Sequence, residues 1–168
     1  MAFFRVNFGI VGKADGGSAL RRSAYQRCAN SDGFDFSEKA HEFVHNEIIM
    51  PAIAPADVTD SSTVWKSVEV AEKRCDAQLS RTIDFAIPHE VPEDLRNEFA
   101  RDVLQFYVDQ GFALEWTRHK AEHMFSDSSS DTFNDHIHAQ ITLRTVDGTG
   151  LNSKKDRAFN TYMRKRNG

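Results

Sequence analysis

Two histidines separated by one residue, His136 and His138, are the first place where residue type and spacing in this chain can do chemistry. On a strand, side chains two apart leave the same face, so both imidazoles can reach one ion. Ile137, Ala139, Ile141 and Leu143 then fall on the opposite, buried face. In the preceding alternating stretch Phe112, Leu114 and Trp116 oppose Ala113, Glu115 and Thr117, and one further step along the second set reaches His119. Three neutral imidazoles from neighbouring strands hold a divalent cation and leave coordination positions open for a substrate oxygen. His41, His45, His89 and His123 fit no such pattern and read as surface or loop residues.

A metal site of this kind needs an attacking group. Tyr25 sits in Ser23-Ala24-Tyr25-Gln26-Arg27, in a segment that reads as a helix. A helical tyrosine is ordinarily a packing residue with a wet hydroxyl, but a phenol attacks phosphorus when it is deprotonated or when the phosphate is strongly polarised. Arg21 and Arg22, about one turn earlier, are placed to hold a DNA backbone.

These residues need elements to carry them. Phe4, Val6, Phe8 and Ile10 alternate with Phe3, Arg5, Asn7 and Gly9, which predicts a first strand. Gly16-Gly17 breaks it, and Ser18 caps a helix running to about Asn30. Phe34 to Met50 reads as a loose, hairpin-like excursion. Ser61 or Ser62 caps a second helix with Val64, Val68, Ala71, Cys75 and Leu79 on one stripe. Thr82 to Ile87 alternates as a strand, with Ile83, Phe85 and Ile87 on one face. Pro92 opens a third helix lined by Leu95, Phe99, Val103 and Phe106, and Gly111 ends it. Strands over 112–118 and 136–146 follow, separated by a polar loop at Asp127–Asp131. The order predicts an α+β fold, a central antiparallel sheet with helices on one apolar face and the other face left for chemistry.

The bulk composition permits this without demanding it. The chain has 168 residues, 40% hydrophobic and 27% charged, which suits one globular domain. No stretch approaches the ~20 apolar residues that span a bilayer, the start lacks a signal-peptide pattern, and cytoplasm is the default location. Cys28 and Cys75, the only cysteines, read as reduced and structural. The net charge of −4 hides an uneven distribution. Arg21, Arg22 and Arg27 cluster early, and Lys154, Lys155, Arg157, Arg164, Lys165 and Arg166 load the end. Beyond Asp147 the chain turns polar and basic, so the core is expected to close near residue 146. Residues 147–168 then form a basic extension leading into further domains of a longer protein.

Four segments in order carry a resemblance. They are Gly17-Ser18-Ala19 through Ala24-Tyr25; Trp65-Lys66-Ser67-Val68-Glu69 with Glu72-Lys73-Arg74, Asp76-Ala77-Gln78-Leu79 and Arg81; Ala86-Ile87-Pro88; and Asn134-Asp135-His136-Ile137-His138-Ala139 with Thr142-Leu143-Arg144. With these the chain resembles the MobA/MobL relaxases, including the TraA-type conjugation proteins, within the histidine-hydrophobic-histidine endonucleases. The likeness runs from the N-terminus to about residue 146. Tyr25 stands where the family keeps its catalytic tyrosine, and His119 where it has its first histidine. The family often has glutamate where this chain has Thr82; Asp84, two residues on, is the carboxylate that can orient a histidine or the tyrosine. Arg118 replaces a usual apolar residue, and Gln140 is polar where many relatives are apolar or aromatic. Glu69 and Glu72 read as solvent or supporting residues rather than catalysts.

The resemblance implies a palm-like nickase domain, residues 1–146, acting on single-stranded DNA at an origin of transfer, with accessory relaxosome proteins as further partners and no membrane role. It implies that His119, His136 and His138 hold Mg²⁺ or Mn²⁺, that Tyr25 becomes joined to the 5′ end, and that Arg21, Arg22 and Arg144 contact DNA. A rolling-circle replication initiator shares these features, and a hydrolase with metal-activated water shares all but the tyrosine.

Overall fold

The computed structural model describes residues 5–56, 58, 60–122 and 133–156. The polar loop at Asp127–Asp131, His123 and the basic residues Arg157 and Arg164–Arg166 lie outside them. Within the described chain, the alternating stretches pair into one antiparallel sheet. Its strands are β1 (Val6–Gly12), β4 (Phe43–Ile49), β5 (Gln78–Ala86), β6 (Phe112–Glu122) and β7 (Phe133–Asp147), in spatial order β1-β5-β7-β6-β4, with β8 (Gly150–Leu151) added on β7. The two long strands that carry the histidines, β6 and β7, are therefore central.

Local chemistry sets the helix ends. The Ser18 hydroxyl accepts from the Arg21 N–H and opens α1 (Ala19–Gln26). A side chain at Gly17 would sit 2.6 Å from the Gly12 carbonyl oxygen, so only glycine lets the chain fold back so closely on β1. The helix stops at Gln26, short of the expected Asn30, because Cys28 turns into the left-handed region at φ 50°. Asp60, one residue before the expected serines, caps α2 (Ser61–Ala71). That helix ends before Cys75, which is exposed, while Leu79 is buried on β5. The single stripe read across Val64 to Leu79 thus joins a helix to a strand. Pro92 precedes a 3₁₀ turn, Glu93–Leu95, that leads into α3 (Arg96–Asp109), and Gly111, at φ 88°, ends it as expected.

The excursion after α1 contains more structure than its sequence shows. It forms a hairpin of β2 (Asn30–Ser31) and β3 (Phe34–Asp35), a 3₁₀ segment Ser37–Glu42, and then β4 on the sheet edge against β6. Phe43 and Val44 stay exposed on that edge, so β4 has no clean alternation to betray it.

The expected α+β class with a central antiparallel sheet is present, but the helices divide between its faces. α3 covers the apolar face, where Ala100 and Leu104 join a core with Phe85, Leu114, Trp116, Ile137 and Ile141. α1 and α2 pack on the other face, the one bearing the histidines, around Ala19, Val64, Trp65, Val68 and Leu79. The physical reason is that this polar face supplies partners for helix groups: the Gln140 amide donates to the Ala19 carbonyl, and the Trp65 indole donates to Glu115. The chain also stays attached past residue 146, since Asn152 and Asp156 donate backbone hydrogen bonds to Thr145 and Leu143.

Candidate metal centre and its tyrosine

Strand register brings the histidines together. His119 on β6 lies directly opposite His136 on β7, and one step along, Thr117 and Asp84 flank His138. Directly opposite residues in an antiparallel pair share a face, so the three imidazoles and Asp84 all point toward α1. The ring centroids are 5.5 Å (His119–His136), 4.9 Å (His119–His138) and 4.8 Å (His136–His138) apart, each pair close to perpendicular. One nitrogen from each ring lies within 4.8 Å of the others.

The His138 and His119 rings are held from behind. Asp84 Oδ1 lies 2.6 Å from His138 Nδ1; a carboxylate accepts only, so Nδ1–H donates and Nε2 is the ring nitrogen left to serve as a ligand. His119 Nε2 meets the Gln26 carbonyl oxygen, which by the same logic leaves Nδ1 as its lone-pair nitrogen. Burial pushes the His119 imidazole down to about 4, with the Gln26 hydrogen bond opposing and the neighbouring histidines adding to the fall. It is therefore neutral, as a ligand must be, at any pH well above that value. Burial raises the Asp84 carboxyl, but its hydrogen bond to His138 and the Arg22 charge outweigh this and hold it below the ordinary carboxylate range. Convergent imidazoles with outer hydrogen bonds to a carboxylate and a carbonyl are a fitting donor set for a divalent metal.

α1 lays Tyr25 against this cluster. Its ring lies 6.3 Å from the His138 ring and 5.4 Å from that of Phe36, edge-on to both. Arg22, one turn earlier on the same helix face, donates to Asp84 Oδ1 at 2.7 Å, with its guanidinium carbon 5.8 Å from the Tyr25 centroid. Lys39, from the 3₁₀ segment, places Nζ 5.3 Å from that centroid.

A model of the MobA/MobL family matches residues 17–168, a span that includes Tyr25, Asp84 and all three histidines. The chain belongs to the MobA/MobL family. The match passes beyond residue 146, where the resemblance was expected to end. The chain is 31% identical to a conjugal transfer protein TraA of Agrobacterium fabrum (strain C58 / ATCC 33970) and 28% identical to one of Rhizobium radiobacter, over 92% of this chain in each case. It spans only 15% of the length of those curated relatives. A solved structure described as "Molecular Basis of Vancomycin Resistance Transfer in Staphylococcus aureus" aligns with a TM-score of 0.79 at 24% identity, covering 96% of this chain and 84% of that one. At that identity the likeness is one of fold. No helix among the described residues is long and apolar enough to cross a membrane.

In this MobA/MobL chain the expected site residues do not all meet. Tyr25, Arg22, Asp84 and the three histidines converge, and Arg21 is exposed on α1. Arg144 lies six residues beyond His138, about 20 Å along the strand. Its guanidinium is paired with Glu72 at 2.8 Å and donates to the Asn152 and Ser153 carbonyls. Glu72 is buried and also meets Lys155, so it is not a solvent residue. Glu69 accepts from the Ala19 N–H at 2.7 Å and closes the start of α1. Both glutamates of the helical motif thus tie α2 to its neighbours. His45, read as a surface or loop residue, lies half-buried on β4 with its ring 4.9 Å from that of Trp116.

Several supporting residues escape a reading of sequence alone. Glu115, fully buried, accepts from Asn46 at 3.1 Å, Ser61 at 2.5 Å and Trp65 at 2.6 Å, with Arg27 at 3.3 Å. This hub joins β6, β4, α2 and the end of α1, and so fixes the turn of helix that carries Tyr25. An acidic residue between Leu114 and Trp116, on the His119 face of β6, was its only signal. Arg118 is buried on the α3 side, where it pairs with Asp135 at 2.5 Å and with Glu93. Arg118 precedes His119 and Asp135 precedes His136, so this ion pair clamps the two strands immediately behind the two ligand candidates.

Proposed function

We propose that this chain is the nicking unit of a conjugative relaxase, a site- and strand-specific DNA strand transferase that cleaves single-stranded DNA at an origin of transfer. The observation that carries the reading is the placement of Tyr25 against three converging imidazoles. The conjugal-transfer names of the relatives support it.

His119, His136 and His138 hold a divalent metal, Mg²⁺ or Mn²⁺. When bound, it supplies electrophilic polarisation of a phosphate oxygen. Asp84 keeps His138 in one tautomer and orientation, and the Gln26 carbonyl does the same for His119. Arg22 neutralises Asp84 and flanks the Tyr25 ring, coupling the helix to the ligand cluster. Tyr25 attacks the scissile phosphorus: an Oη–P bond forms, the P–O3′ bond breaks, and the phenol proton ends on the released 3′-hydroxyl. One phosphodiester replaces another, so no nucleotide cofactor is consumed and the step can reverse to rejoin the strand.

The test compares wild type and Tyr25→Phe on denaturing gels with Mn²⁺ and single-stranded origin DNA labelled at the nucleotide 3′ to the nick. Wild type is expected to give a protein-sized shift of the labelled fragment. Tyr25→Phe, which keeps the ring and its packing on Phe36, is expected to bind DNA normally and give neither nick nor shift. Metal-dependent nicking by the phenylalanine variant, or a free 5′-phosphate from wild type, would overturn this function.

A further inference from the structure

Three arginines were expected to meet DNA, and two of them are already engaged. Arg22 donates to Asp84 at 2.7 Å and Arg144 is paired with Glu72 at 2.8 Å. Arg27, also close to the tyrosine in sequence, is held by Asp32 and Glu115. Each of these guanidiniums has a carboxylate that an incoming phosphate would have to displace. Arg21 is exposed at the start of α1, about one turn from Tyr25.

Lys39 differs from all of them. It belongs to the 3₁₀ segment Ser37–Glu42, and its Nζ stands 5.3 Å from the Tyr25 ring centroid. Among the described residues its ammonium forms no ion pair with a carboxylate. Phe36, three residues earlier, packs edge-on against the same ring, and the Lys39 N–H donates to the Phe36 carbonyl. The segment read in sequence as a loose, hairpin-like excursion therefore forms a wall beside Tyr25 and carries a half-buried cation on it. A cation without a carboxylate partner, held by a short turn beside the ring of the attacking tyrosine, suits an anionic group arriving at that residue. Phosphate contacts of this kind dominate affinity for nucleic acid, and a positive charge at a transferring phosphoryl group is favoured in the transition state.

We propose that Lys39 binds the phosphate that Tyr25 attacks. This rests on the relaxase reading above, and the two can be separated by experiment. Wild type, Lys39→Ala and Lys39→Arg are compared in three measurements: binding of a labelled oligothymidylate as a function of salt, adduct formation on single-stranded origin DNA with Mn²⁺, and calorimetric titration with Mn²⁺ alone. Loss of one phosphate contact should reduce the slope of log affinity against log salt by about 0.7. Adduct formation should fall roughly 100-fold in Lys39→Ala, and Lys39→Arg should restore the slope and much of the rate. Mn²⁺ affinity should stay constant across the three, because no histidine partner is altered. An unchanged salt slope in Lys39→Ala overturns the proposal, whether or not the rate falls, since a slower reaction alone would mean only that Lys39 steadies the Tyr25 ring. If wild type forms no adduct, the tyrosine mechanism fails, and the salt slope still decides whether Lys39 meets a phosphate.

Discussion

The two faces of the central sheet are made from the same strands, residue by residue in alternation, yet they are built on opposite terms. Toward α3, Phe85, Leu114, Trp116, Ile137 and Ile141 form a dry layer closed by Ala100 and Leu104. Toward α1 and α2, the same strands present Asp84, Glu115, Thr117, His119, His136, His138 and Gln140, and the helices answer with hydrogen-bond donors and carbonyls. Burial of apolar area stabilises the first face without regard to direction. The second is buried at the cost of pairing its polar groups, and the pairs that form specify its geometry group by group. That specification holds a tyrosine and three imidazoles in register. The difference teaches that the α3 face is held by apolar burial that tolerates small shifts, while the other carries the positional information.

Four substitutions would break or sharpen this contrast, ordered here by expected effect on folding. Glu115→Ala removes the carboxylate that Asn46, Ser61, Trp65 and Arg27 share. Leaving those groups unpaired should cost about 3–5 kcal/mol, read from urea denaturation, and should lower the nicking rate of the protein that remains folded. A loss below about 1 kcal/mol would mean that the hub is not what fixes α1. On the apolar face, Leu104→Ala creates a cavity beneath α3 and should cost about 3 kcal/mol. It should leave Mn²⁺ affinity of the folded protein unchanged; a large fall in affinity would show that the two faces are not separable.

His138→Ala should behave in the reverse way. The ring lies at the partly open site and Asp84 keeps Arg22 as partner, so stability should move by less than about 1 kcal/mol. Calorimetry should show Mn²⁺ binding weakened by more than the ~100-fold associated with losing an outer partner. Wild-type affinity in this variant would rule out the site. Asp84→Asn is the mildest. The amide retains an acceptor for Arg22 but releases its hold on the His138 tautomer, and nicking should slow by roughly 10–100-fold. An unchanged rate would assign the supporting role to another group, with Glu115 already engaged elsewhere.

The legibility of the fold follows the same division. The Phe112–Trp116 and Ile137–Leu143 alternations revealed β6 and β7 because each has one wholly apolar face, and that pattern alone placed His119, His136 and His138 on a common side. Caps and stops were nearly as readable: Ser18 and Gly111 act where their chemistry indicates. β4 was not readable, since an edge strand with Phe43 and Val44 exposed keeps no period. Nor was the end of α2, because Cys75 and Leu79 continue a helical spacing by coincidence after the chain has left the helix.

What the sequence determined by itself is the identity and facing of the candidate site residues: three histidines on one side of two strands, a tyrosine on the helix after β1, and Asp84 two residues beyond Thr82 on a third strand. These depend on strand and helix periodicity, which is a local property of the chain. Only the tertiary structure decided which charges are paired and which are not. Arg22, Arg27 and Arg144 look alike in sequence to Lys39 as cations near the chemistry, but they meet Asp84, Glu115 and Glu72 across separations of 62, 88 and 72 residues. Pairing across such distances is set by how strands order in the sheet and where helices land on it. No local pattern records that.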